Sequence, residues 1–399
     1  MLVGIVFSRL LRQVDHRYGW QCFDFTREGA TTLLGNFVSS MMTFIAVVAS
    51  ALLLVVQLVS ANLTPRIIAF TFRHPLIRLS LAMFVFSYTL SISLLGRIED
   101  TVPQLTLAVA IVTNVLSLVL FLYFVGAVGM SLRPAQIMSV VAAAGRKVIF
   151  DIYPLTYDLS DPQAESFASN LGAPSDTVAY KGSSGVLLSF DSAGIVALAG
   201  KHDAIVEFVP RVGDYVSLGE PLFRIYRAQG IDEKQLRRMV AIGPERTLEQ
   251  DPRLAFRIIL DIACKALSPA INDPTTAVLA LDQVHRLLRC VGGRKLLQGA
   301  QRDASGAVRL IFSTPTWDDF VWLATAEIRH YGSDTMRICQ RLRAMLEHLI
   351  QTLPSARRPA LEVHLRLLNQ TIDRKFVEPE DCIRVRSGNP QSNGAAPDA

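Results

Sequence analysis

No charged side chain occurs between Glu28 and Arg66, between Arg78 and Arg97, or between Asp100 and Arg133. Runs this long without charge, rich in Leu, Val, Ile and Phe, exclude an ordinary soluble fold for the first third of the chain. They define three helical spans at about 37–59, 76–95 and 105–128, each near the ~20 residues needed to cross about 30 Å of hydrocarbon. The lipid bilayer is therefore the first partner. The opening MLVGIVFSRLL is apolar but too short to span, and no small-residue cleavage site follows it. Residues 1–36 are thus an N-terminal segment, either a truncated span or an interfacial one.

Arginine placement orients the spans. Arg66, Arg73 and Arg78 lie between the first and second spans, on the same side as the exit at Arg133. The opposite side offers Arg27 and Arg97, offset by Glu28, Glu99 and Asp100. The positive-inside rule then puts the large C-terminal region in the cytoplasm of a bacterial-type cell, with the protein in the plasma (inner) membrane. Thr64-Pro65 to His74-Pro75 reads as a short surface helix between spans. The net charge of +5 is spread over the chain, without the concentrated basic face that nucleic acid requires. The five cysteines show no C-x-x-C spacing, so neither a zinc site nor a disulfide framework is expected.

Beyond residue 133 the composition becomes that of a soluble domain. Residues 133–182 are a connector, opening on a helix at 135–149 and passing into Pro-, Ser- and Asp-rich sequence. From Gly185 the apolar period becomes two, with turn signals at Gly213-Asp214 and Gly219-Glu220, which predicts a small β domain over 183–230. Its G-D-x-V-x-x-G-x-P-L run resembles the second half of biotinyl- and lipoyl-type barrel-sandwich modules. The following Arg224-Ile225-Tyr226-Arg227 has no lysine to modify, so only the fold is implied. A helical domain over 231–378 follows, with helices near 252–267, 274–291, 317–353 (with a break at Gly332) and 359–376, and a strand at VRLIFST. The fold class expected is a membrane α-helical bundle of three or four spans, with its transmembrane domain at 37–132, followed by a cytoplasmic α+β region made of a small barrel-sandwich-like β domain and a helical domain. The tail, 379–399, has no apolar period and reads as disordered.

The densest polar run is 245–276, ERTLEQDPRLAFRIILDIACKALSPAINDPTT. It resembles the signature of a bacterial family of predicted membrane proteins known as domain of unknown function twenty-two fifty-four, and the resemblance extends over roughly 33–374. It implies the architecture above, with a further N-terminal span in other members, and implies no activity. Within the run, Asp251-Pro252 and Asp273-Pro274 each read as an N-cap followed by proline at the first helical position. Arg253, Arg257, Asp261 and Lys265 recur at i,i+4 on an otherwise apolar helix, a stripe that is either a solvated face or one wall of a site. Arg246, Thr247, Glu249, Asn272, Asp273, Thr275 and Thr276 surround the two helix starts. Together with Arg257, Asp261 and Lys265 they form the candidate ligand site, with a small anion as the expected ligand.

A second pattern lies in the first span, where Asn36, Thr43, Ser50 and Gln57 recur every seven residues and Ser39 flanks them. In lipid such a stripe belongs against another helix or along water, so a homo-oligomer is expected. Thr113, Asn114 and Ser117 add polar groups to the third span. Glu327-x-x-His330 has half the spacing of a di-iron site, and the second half is missing. No metal, cofactor or catalytic constellation is expected. The leading expectation is an oligomeric channel- or transport-like protein controlled by a cytoplasmic ligand-binding domain. The rival is a membrane-anchored binding or scaffold protein without transport.

Overall fold

The computed structural model describes residues 6–7, 10–11, 14, 25–62, 75–96, 98, 104–131, 133–157, 171–296 and 299–387. The chain divides into two compact units, Met1–Ile137 and Met138–Ala399.

Among the described residues of the first unit, three helices are long and apolar enough to cross a membrane. They are α1 (Arg27–Asn62), α2 (Pro75–Leu95) and α3 (Gln104–Ser131). Helix α1 starts ten residues before the span expected at 37, because Thr26 caps it: its hydroxyl accepts from the Gly29 amide at 3.2 Å. At 36 residues α1 is about 54 Å long, well beyond the hydrocarbon thickness. Its packing face repeats every seven residues: Leu34, Met41, Val48 and Val55 are all buried. Leu34 joins Leu90, Leu94, Leu107 and Ala110 in one cluster, and Val48 joins Phe84 and Phe124 in another. Phe44 stacks on Phe121, ring centroids 4.5 Å apart. Of the N-terminal segment, Val6, Phe7, Leu10, Leu11 and Val14 are helical, and the Phe7 ring sits 5.8 Å from Phe86. The surface helix expected over 64–74 lies outside the described residues.

Helices α2 and α3 meet along a polar seam. Asn114 donates to Ser91 Oγ at 3.2 Å and to the Ala110 carbonyl at 2.8 Å. Ser87 donates to Thr113 Oγ1 at 3.5 Å, and Ser117 to the Thr113 carbonyl at 2.8 Å. The Asn114 amide nitrogen thus bridges the two helices, as interhelical bonds in lipid commonly do, while its Oδ1 is buried without a hydrogen-bond partner among the described residues.

The second unit opens with α4 (Pro134–Ile152), whose residues from Met138 onward belong to it. Its described residues then contain eight strands: β1 (Asp176–Ala179), β2 (Gly185–Phe190), β3 (Ile205–Phe208), β4 (Tyr215–Val216), β5 (Pro221–Tyr226), β6 (Val240–Gly243), β7 (Ala300–Arg302) and β8 (Val308–Phe312). Five form a sheet of order β1-β5-β3-β8-β7, and three form a sheet of order β4-β2-β6. Helix α5 (Ser192–Lys201), capped by Asp191, packs on the core that the sheets enclose, and the one-turn-and-a-half α6 (Glu233–Arg238) precedes β6. The β region differs from a self-contained module over 183–230. The β3 edge is paired in parallel with β8, Val206 opposite Leu310 and Phe208 opposite Phe312, so a strand from the helical region completes the sheet. A lone period-two signal cannot show such a partner, because the pairing lies about a hundred residues away.

The helical part follows the expected elements closely: α7 (Pro252–Ala266), α8 (Pro274–Gly292), α9 (Trp317–Tyr331), α10 (Met336–Thr352) and α11 (Arg358–Lys375). The break between α9 and α10 falls at Gly332, where a Cβ would come within 2.3 Å of Ile338 Cγ2 and 2.9 Å of the Ile328 carbonyl. Contrary to the reading of 379–399 as a disordered tail, Pro379–Arg386 forms a further helix, α12. Val385 is fully buried, Gln340 Nε2 donates to the Arg384 carbonyl at 2.8 Å, and Arg386 pairs with Asp373. In an eight-residue segment the single buried apolar residue, Val385, cannot show as a period.

Candidate functional site

The polar run 245–276 folds as a helical hairpin around α7. Ten of its helical residues are buried, on all sides but one stripe. The neighbours explain this: Phe256 packs on Phe320 of α9 with centroids 5.6 Å apart. A Cβ at Gly145 of α4 would meet both Ala255 near the start of α7 and Leu287 near the end of α8. That shared neighbour makes α7 and α8 antiparallel. Their N-termini consequently lie at opposite ends of the hairpin, about 22 Å apart for a 15-residue helix.

The candidate ligand residues are divided accordingly. At the start of α7, Asp251 is 2% exposed. One carboxylate oxygen accepts from the Arg253 amide at 3.1 Å as the cap. The other accepts from Arg246 Nε at 3.0 Å and Nη2 at 2.5 Å. Room for this guanidinium comes from Gly213 in the β4-side turn. Its φ is +93° and a Cβ there would lie 2.2 Å from Arg246 Nη2. Thr247 Oγ1 and Arg253 Nε are buried nearby without a hydrogen-bond partner among the described residues, and Glu249 is exposed. Buried Tyr153 has its hydroxyl pushed well above the ordinary range by desolvation, with Arg253 and Asp251 acting on it in opposite directions.

At the other end, Asp273 caps α8, accepting from the Thr275 and Thr276 amides at 3.1 Å each and from the Thr276 hydroxyl at 2.6 Å. The Thr276 hydroxyl chiefly holds its carboxyl below the usual range. Asn272 turns the chain with φ +46°, a left-handed conformation that asparagine tolerates. Arg337 donates to Thr275 Oγ1 at 3.3 Å. Between the two ends, Arg257 pairs with Glu327 of α9 at 2.5 Å. Asp261 and Lys265 are half-buried on the same stripe. Cys264 beside them has its thiol pushed up to about 12 by burial and then by Glu327 and Asp261. The stripe is thus partly covered by α9, with Glu327 drawn into an ion pair, and His330 is exposed. Among the described residues no cluster of three metal-ligating side chains occurs.

The arrangement does not assemble one anion site from both helix starts. Each N-terminus is occupied by its own aspartate, and the Arg246 charge is matched by Asp251. In the first unit, by contrast, the stripe is coherent. Asn36, Ser39, Thr43, Ser50 and Gln57 are all exposed on the protomer, offset by two residues, roughly 200° of helix, from the buried Leu34, Met41, Val48 and Val55.

The chain matches the family described as predicted membrane protein (DUF2254) over residues 1–348. It belongs to that family. Curated relatives include uncharacterized proteins of Mycobacterium tuberculosis (strain ATCC 25618 / H37Rv) and Mycobacterium bovis (strain ATCC BAA-935 / AF2122/97). Each is 28% identical over 362 residues, covering 87% of this chain and 69% of the relative. No solved structure matches. The family match begins at residue 1, ahead of the resemblance read from 33 onward, and places this DUF2254 chain among membrane proteins of unknown function.

One polar cluster in this DUF2254 chain escaped the sequence reading. Asp282 and His285 of α8 meet Arg341 and His348 of α10. The signal was present as i,i+3 and i,i+7 polar positions within two amphipathic helices. Only the pairing of α8 with α10 makes it a unit.

Proposed function

We propose that this protein is a homo-oligomeric, channel- or transport-like protein of the plasma membrane. It assembles through the polar face of α1 and carries its second unit in the cytoplasm. The observation that carries the reading is the exposure of all five stripe residues on the protomer, on the side of α1 opposite its buried heptad face. The Asn36 and Gln57 amides would lack partners among lipid tails, so in a bilayer the stripe belongs at a protein interface or along water. Cytoplasmic placement is supported by Arg78 and Arg133 on the exit side. Control by a small anion forms no part of this reading, since both helix starts of the 245–276 hairpin are filled by carboxylates.

A second reading, a membrane-anchored scaffold without transport, is favoured by one detail. Thr43 Oγ1 donates to the Ser39 carbonyl at 2.9 Å and Ser40 Oγ to the Asn36 carbonyl at 2.8 Å. Hydroxyls satisfied by their own helix suit close helix packing as well as a wet surface. Both readings are tested in a chain whose five cysteines are replaced by serine, with Thr43→Cys and Ser50→Cys introduced singly. Reaction with a membrane-impermeant thiol reagent supports the water-lined axis. Disulfide cross-linking between protomers without such reaction supports the scaffold. Neither reaction nor cross-linking removes the stripe from any interface and overturns both.

A further inference from the structure

Helices α8 and α10 are joined by a hydrogen-bonded chain whose direction is fixed at one end. Arg341, 4% exposed, donates from Nε to Asp282 Oδ1 at 2.7 Å and from Nη2 toward His285 Nδ1 at 3.1 Å. A guanidinium has no acceptor, so His285 Nδ1 must carry the lone pair and its Nε2 must carry the hydrogen. That Nε2 lies 2.9 Å from His348 Nδ1, which is therefore an acceptor, leaving the His348 hydrogen on Nε2. The rings cross edge to face with centroids 4.8 Å apart. Both imidazoles are thus neutral, each in one tautomer, and the chain reads Asp282, Arg341, His285, His348.

This chain cannot accept a proton and persist. A hydrogen on His348 Nδ1 would point at the hydrogen on His285 Nε2. Shifting the His285 hydrogen to Nδ1 would point it at the Arg341 donor. The charged groups acting on the pair are Arg286 and Arg289 of α8 and Arg341 of α10, with Asp282 engaged by Arg341. Three cations around two imidazoles oppose a further positive charge, and among the described residues Asp282 is the carboxylate hydrogen-bonded into the chain.

We propose that the His285–His348 bond is an acid-released latch between α8 and α10, closed at neutral pH and opened when either ring takes up a proton. Burial and the surrounding arginines push both imidazoles below their ordinary range, His285 to about 3, so the closed form excludes the proton. An opened form in which the rings meet water titrates near the ordinary value of about 6.5. Linkage then raises the open population by up to about tenfold per pH unit below that value for each proton gained, about 30-fold at pH 5. This inference concerns the second unit alone and stands whichever reading of α1 holds.

The test is amide hydrogen exchange of the full-length protein in detergent, corrected for the intrinsic effect of pH, at pH 7.5, 6 and 5. The wild type is expected to lose at least fivefold protection in α8 and α10 between pH 7.5 and 5. The double variant His285→Gln/His348→Gln, which keeps amide donors and acceptors but does not titrate, is expected to keep its protection within twofold. Unchanged protection in the wild type, or an equal loss in the double variant, overturns the proposal. Histidine labelled with ¹⁵N in the wild type gives a measurement independent of that variant's folding, with single His285→Gln and His348→Gln chains assigning the two signals. Both rings must show Nε2–H and bare Nδ1 at pH 7.5, and a proton on either Nδ1 there overturns it as well.

Discussion

Replacing Asp251 by Asn separates two roles that one carboxylate fills. The amide oxygen of Asn can still cap α7 by accepting from the Arg253 amide, so the helix start keeps its cap. The ion pair with Arg246 is lost, and the guanidinium is left beside a neutral group in a place where Asp251 is 2% exposed. Removing one partner of a buried pair costs about 3–5 kcal/mol. Because the Arg246 side chain is 26% exposed, water recovers part of this, and about 2–3 kcal/mol remains. For a unit of this size, roughly 2–4 °C of melting temperature accompanies each kcal/mol, so Asp251→Asn should melt about 5–10 °C lower. Asp251→Ala removes the cap as well and should cost about 1 kcal/mol more.

The assay is intrinsic-fluorescence melting of the full chain in detergent, read through Trp317, which is buried against Gly292 and donates to the Arg357 carbonyl. Arg246→Met and the double variant complete a thermodynamic cycle, in which the double should recover part of the loss. Arg257→Gln serves as the contrast. It breaks a pair whose partners are 36% and 42% exposed, worth less than about 1 kcal/mol. An Asp251→Asn melt within 1 °C of wild type, or a loss no larger than that of Arg257→Gln, would refute the claim that the Arg246–Asp251 pair anchors the hairpin.

Three other outcomes follow from the same structure. Acid should destabilise the second unit: His285, His348 and His364 are all held below their ordinary range, first by burial. Their stabilising contribution is complete above about pH 6.5 and falls as pH drops toward the depressed folded values. At pH 5 His285, held at about 3, loses about 2 kcal/mol, and the loss is measurable as a falling melting temperature from pH 7 to 5. Gly332→Ala should cost about 1–3 kcal/mol, because the added methyl meets Ile338 and the Ile328 carbonyl; a melt equal to wild type would mean the α9–α10 corner relaxes freely. Asn114→Leu should weaken the α2–α3 contact by about 1 kcal/mol through loss of the bond to Ser91, read as a lower denaturant midpoint in micelles.

The parts of this fold that could be read in the sequence are those set by local chemistry. Charge-free runs gave the spans, the two Asp-Pro pairs gave the starts of α7 and α8, and Gly332 gave the corner between α9 and α10. The parts that could not be read depend on distant neighbours. Parallel pairing of β3 with β8 has no local signature, and α5 was passed over inside a stretch read as one β domain, although Ile195, Leu198 and Ala199 recur at helical spacing. The candidate ligand site was half legible. The sequence shows that Asp251 and Asp273 cap helices, but only the antiparallel course of the hairpin shows that these caps lie at opposite ends. Arg246 seemed to want a ligand because its partner, five residues on, was already assigned to capping. The structure gives Asp251 both tasks, one to each oxygen.

That double use separates the two polar regions of the molecule. In the 245–276 hairpin the prominent charges find partners inside their own unit: Arg246 takes Asp251, Arg257 takes Glu327, and Asp273 takes the start of α8. Charges balanced in this way fix the geometry of a hairpin and leave little to attract an outside ion. In α1 the order is reversed. The apolar heptad is buried within the protomer, and Asn36, Ser39, Thr43, Ser50 and Gln57 are directed away from it. A soluble helix would simply solvate such a face, but a helix of this hydropathy lies where no water is available to do so. The demand for a partner therefore falls on the membrane unit, and the first place to look for assembly and transport is the outer face of α1.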